Sequence, residues 1–158
     1  MNYKAILFDM GNVILDYSPE YILSFYSADM KVIQQLNQAI FSSPYWVKND
    51  EGTITQKQLE AGVLSALPDD LHDLARDVLA TWTEHKPQRR AMIPLVKELH
   101  EKGYQLYLCS NAATSFQDYK DDVIAFQYFD GFVVSSAIKQ NKPDPGIFTY
   151  LLDTYHLE

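Results

Sequence analysis

Three short apolar runs stand out along the chain, and none of them alternates with polar residues. Ala5-Ile6-Leu7-Phe8 ends at Asp9-Met10-Gly11-Asn12, Leu106-Tyr107-Leu108-Cys109 ends at Ser110-Asn111, and Phe132-Val133-Val134 ends at Ser135-Ser136. A run without period-two alternation predicts a strand buried on both faces, as in a parallel sheet. Between the first and second runs the period becomes helical. Val32, Ile33, Leu36 and Ile40 share one face, as do Leu59, Val63, Leu64 and Leu67, and then Leu71, Leu74, Val78 and Trp82. Ser18 ahead of Pro19, Thr55 and Asp69 are the expected N-caps. Nothing in this stretch predicts a strand, so residues 17–88 read as a helical insert. Ile93, Val96 and Leu99 predict a helix over 94–102, stopped by Gly103 and followed at once by the second strand. Asp144-Pro145 opens a last helix carrying Ile147, Phe148, Leu151 and Leu152.

This rhythm predicts an α/β fold: a Rossmann-like parallel sheet core over residues 1–16 and 89–158, with an inserted α-helical cap over 17–88. Three strands are few for such a sheet. The expectation is therefore that the C-terminal part of the core is absent from this chain of 158 residues.

Composition removes several classes of function. A hydrophobic fraction of 47 % with 22 % charged residues is that of a globular protein. No apolar run approaches the roughly 18 residues a membrane helix needs, so no membrane partner is expected. Thirteen Lys and Arg stand against 21 Asp and Glu, a net charge of −8, which speaks against a nucleic-acid partner. The basic stretch from Lys86 to Arg90 reads as a solvated turn. The N-terminus lacks the pattern of a signal peptide, and the single Cys109 excludes an internal disulfide, so the expected location is cytoplasmic. Cys109 itself reads as an inert core thiol, the four histidines as surface residues without ligand spacing, and Asp118, Asp121 and Asp122 as a solvated face. The pattern carries no signal for an oligomeric state.

The candidate chemistry sits where the strands end. In open α/β sheets ligands bind outside the carboxyl ends of the strands. Asp9, Ser110 and the polar residues after the third strand fall at such ends, and Lys142 follows shortly after. A carboxylate, a hydroxyl and an ammonium converging on one crevice suit phosphoryl transfer. The carboxylate can attack phosphorus, the hydroxyl can hold phosphoryl oxygens, and the lysine can offset developing charge.

Three segments carry a family resemblance. Phe8-Asp9-Met10-Gly11-Asn12-Val13, Leu108-Cys109-Ser110-Asn111 and Asn141-Lys142-Pro143-Asp144-Pro145-Gly146-Ile147-Phe148 occur in this order, with a helical insert in the first gap. Together they resemble the haloacid dehalogenase (HAD)-like hydrolase superfamily. The likeness is greatest to its helical-cap phosphatases, the sugar-1-phosphatase-like and epoxide-hydrolase-N-domain-like proteins. Trp46 and Glu51-Gly52-Thr53-Ile54-Thr55 resemble a cap segment of that branch. The resemblance implies a Mg²⁺-dependent phosphatase of small phosphorylated metabolites, acting through an aspartyl-phosphate. Asp9 would be nucleophile and Mg²⁺ ligand, with Gly11 giving its carbonyl to the same ion. Ser110 and Asn111 would bind the phosphoryl group, and Lys142 would bridge nucleophile and phosphate. Most phosphatases of the superfamily have an acid/base Asp where this chain has Gly11, and a fourth, acidic motif for which no sequence follows Glu158. The alternative is thus an impaired or non-catalytic member that binds a phosphorylated ligand or a partner. Asp16 is the nearest other carboxylate to stand in as acid. Tyr17 and Trp46 are open to two readings, lining a substrate pocket or packing between cap and core.

Overall fold

The structure is a computed structural model and describes residues 4–157. Three parallel strands, β1 (Ala5–Phe8), β2 (Gln105–Ser110) and β3 (Gly131–Val134), form a sheet in the order β1-β2-β3. Phe8 lies opposite Leu108, and Ser110 opposite Val134. Helices follow in chain order as α1 (Pro19–Leu23), α2 (Met30–Ala39), α3 (Pro44–Asp50), α4 (Gln56–Ser65), α5 (His72–Thr81), α6 (Met92–Glu101), α7 (Phe116–Tyr119), α8 (Ser135–Ile138) and α9 (Pro145–Tyr155).

The described chain divides into two compact units. One comprises residues 4–16, 50–52 and 87–157, and the other Tyr17–Asn49 and Thr53–Lys86. The first is the α/β unit. Successive residues of a strand point to opposite faces. In β2, Leu106 and Leu108 turn to one face, where Val96, Ile93 and Leu99 of α6 cover them. Tyr107 and Cys109 turn to the other, beneath Ile147 and Leu151 of α9. Both faces of β2 and β3 are covered, which is why their runs do not alternate.

β1 departs from the expected burial. None of its four residues is fully buried, and Leu7 is 39 % exposed. The reason is positional: among the described residues β1 pairs only with β2, and α9 packs over β2 and β3. The chain leaves and re-enters this unit at neighbouring points. Leu15 and Gln88 form an antiparallel bridge, Asp16 donates its N–H to the Pro87 carbonyl at 2.8 Å, and Arg89 donates to Ile14 at 2.9 Å.

The other unit is helical and has its own core, with Ile22, Leu23, Leu36, Val63, Ala75 and Val78 fully buried. Trp46 is buried here, edge-on to Phe41 and Trp82, and Tyr17 meets the same two rings, so both residues pack within this unit. Ser18 caps α1 by accepting from the Tyr21 N–H. Thr55 makes a full capping box: its hydroxyl accepts from the Gln58 N–H at 3.3 Å, while the Gln58 side chain accepts from the Thr55 N–H at 2.9 Å. Asp69 is not a cap. A 3₁₀ turn over Asp69–Leu71 separates it from the first residue of α5, and no side chain caps that helix. His72 is not a plain surface residue either. Its Nε2 lies 3.0 and 3.1 Å from the carbonyls of Leu64 and Leu67, at the end of α4. Thr55→Ala should cost about 1 kcal/mol. It should appear as a lower urea midpoint with unchanged slope. Tryptophan fluorescence is the readout, because Trp46 and Trp82 both belong to this unit.

No helix among the described residues is long and apolar enough to cross a membrane.

Candidate active site

Strand pairing alone sets the first contacts of the site. Phe8 is in register with Leu108, so Asp9 emerges level with Cys109, one step short of Ser110, on the adjacent strand. Asp9 Oδ1 accepts from the Met10 N–H at 2.7 Å and from Lys142 Nζ at 2.8 Å. Its Oδ2 takes no hydrogen bond from the described residues. The carboxylate is therefore anchored by one oxygen and open at the other. Asp9 is half exposed and the Lys142 side chain mostly covered.

Lys142 is held by its main chain. The Asn111 amide accepts from the Lys142 N–H at 2.7 Å and donates to the Lys142 carbonyl at 3.0 Å. Asn111 thus spends both ends of its side chain fixing the ammonium that meets Asp9. Asp144 caps α9 through the Gly146 N–H at 2.8 Å, which fixes the other side of the Lys142 loop.

Ser110 is buried, and among the described residues its hydroxyl has a marginal contact, 3.5 Å to the Asn111 carbonyl. Gly11 sits in a tight reversal after β1. The Met10 carbonyl accepts from Val13, Ile14 and Leu15, and Asn12 turns left-handed at φ 58°. The Gly11–Leu15 bridge is closed by Leu15 N–H on the Met10 carbonyl and Asn12 N–H on the Leu15 carbonyl. The Gly11 carbonyl stays outside this pairing. Asp16, the stand-in acid, is instead paired to Arg89, with Nε 2.5 Å from Oδ1. Cys109 is buried below the site; burial pushes its thiol pKa up, with Lys142 acting to lower it and Asp9 to raise it. It stays a protonated core residue.

Among the described residues no group of three or more His, Cys, Asp and Glu is placed to hold a metal ion. What they offer is the Asp9 carboxylate and the Gly11 carbonyl. These are hard oxygens of the kind Mg²⁺ accepts when water and a substrate phosphate fill its remaining positions.

One buried hydroxyl carried no signal in the sequence beyond marking a strand end. Ser135 is fully buried and its Oγ accepts from the Ala112 N–H at 3.0 Å, directly after Ser110 and Asn111.

A parallel α/β sheet with its polar groups gathered beyond the strands' carboxyl ends defines the class of protein. Within that class, the family model of haloacid dehalogenase-like hydrolases matches residues 3–158, and the chain belongs to this family. The sesquiterpene phosphatase astK of Aspergillus oryzae is 26 % identical over 153 residues, covering 95 % of this chain and 73 % of that protein. Among solved structures, the HAD family enzyme bt-2542 of Bacteroides thetaiotaomicron superposes with a TM-score of 0.72 at 19 % identity, over 100 % of this chain and 81 % of that one. Its wild-type complex with magnesium and inorganic phosphate gives the same score over 99 % and 80 %. The L-2-haloacid dehalogenase of Xanthobacter autotrophicus, with chloropropionic acid covalently bound, gives 0.68 at 15 % identity over 99 % and 66 %. These likenesses establish the fold.

Proposed function

We propose that the chain is a Mg²⁺-dependent phosphatase of small phosphorylated metabolites, of the helical-cap branch, with residues 17–88 as the cap and the cytoplasm as its location. The observation that carries this reading is the Asp9 carboxylate, pinned at Oδ1 by a main-chain N–H and Lys142 and open at Oδ2. The phosphatase astK, as a relative over 95 % of the chain, favours phosphate esters over carbon–halogen bonds.

In this reading Asp9 Oδ2 attacks phosphorus. The ester P–O bond breaks, and the phosphoryl group rests on Asp9 as an acyl phosphate. Water then cleaves it, releasing inorganic phosphate and restoring the carboxylate. Ser110 holds phosphoryl oxygens and Lys142 compensates charge while Asp9 attacks. Asn111 keeps Lys142 in place. Asp9 and the Gly11 carbonyl would hold Mg²⁺, which supplies positive charge between the two anionic reactants.

Gly11 has no proton to give, and Asp16 is paired with Arg89. The leaving group must then depart with little help. Aryl phosphates should turn over at least about tenfold faster than alkyl phosphates, as expected when proton donation by a general acid is missing. The test is an assay of p-nitrophenyl phosphate, a panel of sugar phosphates and 2-chloropropionate, with Mg²⁺ titrated. With so few protein oxygens for the ion, activity should keep rising through the millimolar range. Halide release from 2-chloropropionate, or phosphate release unaffected by metal chelation, would overturn the reading. Tight phosphate binding without turnover would favour the second reading, a non-catalytic binder, to which Gly11 already points.

A further inference from the structure

The residues 50–52 lie between stretches of the helical unit, yet they cluster with the α/β unit. Two contacts hold them there. Ser135 Oγ donates to the Asp50 carbonyl. Gly52, left-handed at φ +71°, packs flat on Ser136, where a Cβ would lie 2.9 Å from the Ser136 Cα. On its other side the same Ser135 Oγ accepts from the Ala112 N–H at 3.0 Å, and the Ala112 carbonyl accepts from the Ser136 N–H at 3.3 Å. The end of β3 thus grips the Ser110–Asn111–Ala112 turn from below and residues 50–52 from the side. Asp50 also reaches toward the nucleophile's surroundings. Burial, and then the Asp50 charge, push the Tyr119 pKa up, and the Tyr119 hydroxyl lies 3.6 Å from the sulfur of Met10, next to Asp9.

We propose that Ser135 is a positioning residue for the phosphoryl-holding turn, and that its hold on that turn depends on residues 50–52 being seated. The proposal rests on the phosphatase reading for its kinetic consequence. The physical reason is that a hydroxyl has one proton. With Asp50 in place the proton goes to the Asp50 carbonyl and a lone pair faces the Ala112 N–H. The Ala112 carbonyl, 3.4 Å from the same oxygen, is the next acceptor. When residues 50–52 leave, the proton turns to it, and the side chain, no longer tied to Asp50, can leave the rotamer that holds a lone pair on the Ala112 N–H, so that buried bond weakens. The turn that carries Ser110 and Asn111 then loosens, and through Asn111 so does Lys142. Residues 50–52 therefore report to the catalytic turn through Ser135.

The test compares the parent with Ser135→Ala, Ser135→Thr and Gly52→Ala. Three quantities are read: kcat and KM on p-nitrophenyl phosphate, inhibition by inorganic phosphate, and amide hydrogen exchange at Ala112. Ser135→Ala should lower kcat by about tenfold with a smaller change in KM, because the turn's donors matter most as charge develops on the phosphoryl group. It should weaken phosphate inhibition and speed exchange at Ala112. Ser135→Thr, which keeps the hydroxyl, should recover most of the loss. Gly52→Ala, remote from Ala112 in sequence, should reproduce both the kinetic change and the faster exchange. A merely structural serine would lower stability and leave the kcat of the folded protein intact. Unchanged exchange and kinetics in Ser135→Ala would overturn the proposal. If that variant does not fold, Ala112 protected as in the parent in Gly52→Ala would overturn it instead. A parent that hydrolyses no phosphate ester, while Gly52→Ala still speeds exchange at Ala112, would locate the failure in the phosphatase reading and leave the coupling standing.

Discussion

Asp9→Asn should abolish turnover of p-nitrophenyl phosphate, by at least about a thousandfold, or roughly 4 kcal/mol of transition-state stabilisation. An amide is a poor nucleophile at phosphorus, and its loss of charge weakens Mg²⁺ binding at the same step. The variant should still fold. The Asn side-chain oxygen can accept from the Met10 N–H as the Asp9 Oδ1 does now. Lys142 would lose its ion partner, but the amide oxygen can still accept from its mostly covered ammonium. Near-parental activity in a folded Asp9→Asn variant, with an unchanged urea midpoint, would remove Asp9 from the mechanism.

Lys142→Met should cost about a hundredfold to a thousandfold in kcat, the range for losing one preorganised charge aimed at a transferring phosphoryl group. The main chain makes this a clean experiment. The two bonds from Asn111 go to the Lys142 N–H and carbonyl, so they survive any change of side chain. Methionine keeps the length and the apolar stem. The loss is then one of charge, with the loop still in place. Two readouts separate this from disorder of the loop: amide exchange at residue 142 should stay parental, while inhibition by inorganic phosphate weakens. Asn111→Ala offers the complement. It frees the Lys142 loop and keeps the charge, so exchange at 142 should rise as kcat falls.

Local patterns made much of this molecule readable. Thr55 before Gln58, Ser18 before Pro19 and Asp144 before Pro145 are caps whose partners lie within three residues, and each forms as expected. The unbroken apolar run of β2 is a direct record of helices on both faces. The misreadings share a cause, a partner that lies far along the chain or is not there. Leu7 reads as buried from composition alone, but burial requires a neighbour across β1. Asp69 has the right side chain for a cap, but Pro68 and the 3₁₀ turn shift the start of α5 to His72. Asp9 and Lys142 are site candidates from the residues around them, and the structure brings the two side chains together. What Asn111 does could not be read there, because its bonds run to the backbone of a residue 31 positions away. Ser135 is hidden more deeply still: its bond to Asp50 spans 85 positions and no local spacing encodes it.

The bridge between Leu15 and Gln88 has a meaning for how such a protein varies over evolutionary time. Residues 17–86 begin and end one backbone hydrogen bond apart, Asp16 N–H to the Pro87 carbonyl at 2.8 Å. To the sheet, everything in between is a hairpin loop, whatever its length. Loop closure becomes only slowly costlier as a loop grows, so a lineage can lengthen, trim or exchange the helices there without moving Asp9 or Lys142. The exception is the short visit at residues 50–52, which cluster with the α/β unit. A replacement insert would have to reproduce that tripeptide's backbone, including the left-handed turn at Gly52, before it could serve the same chemistry.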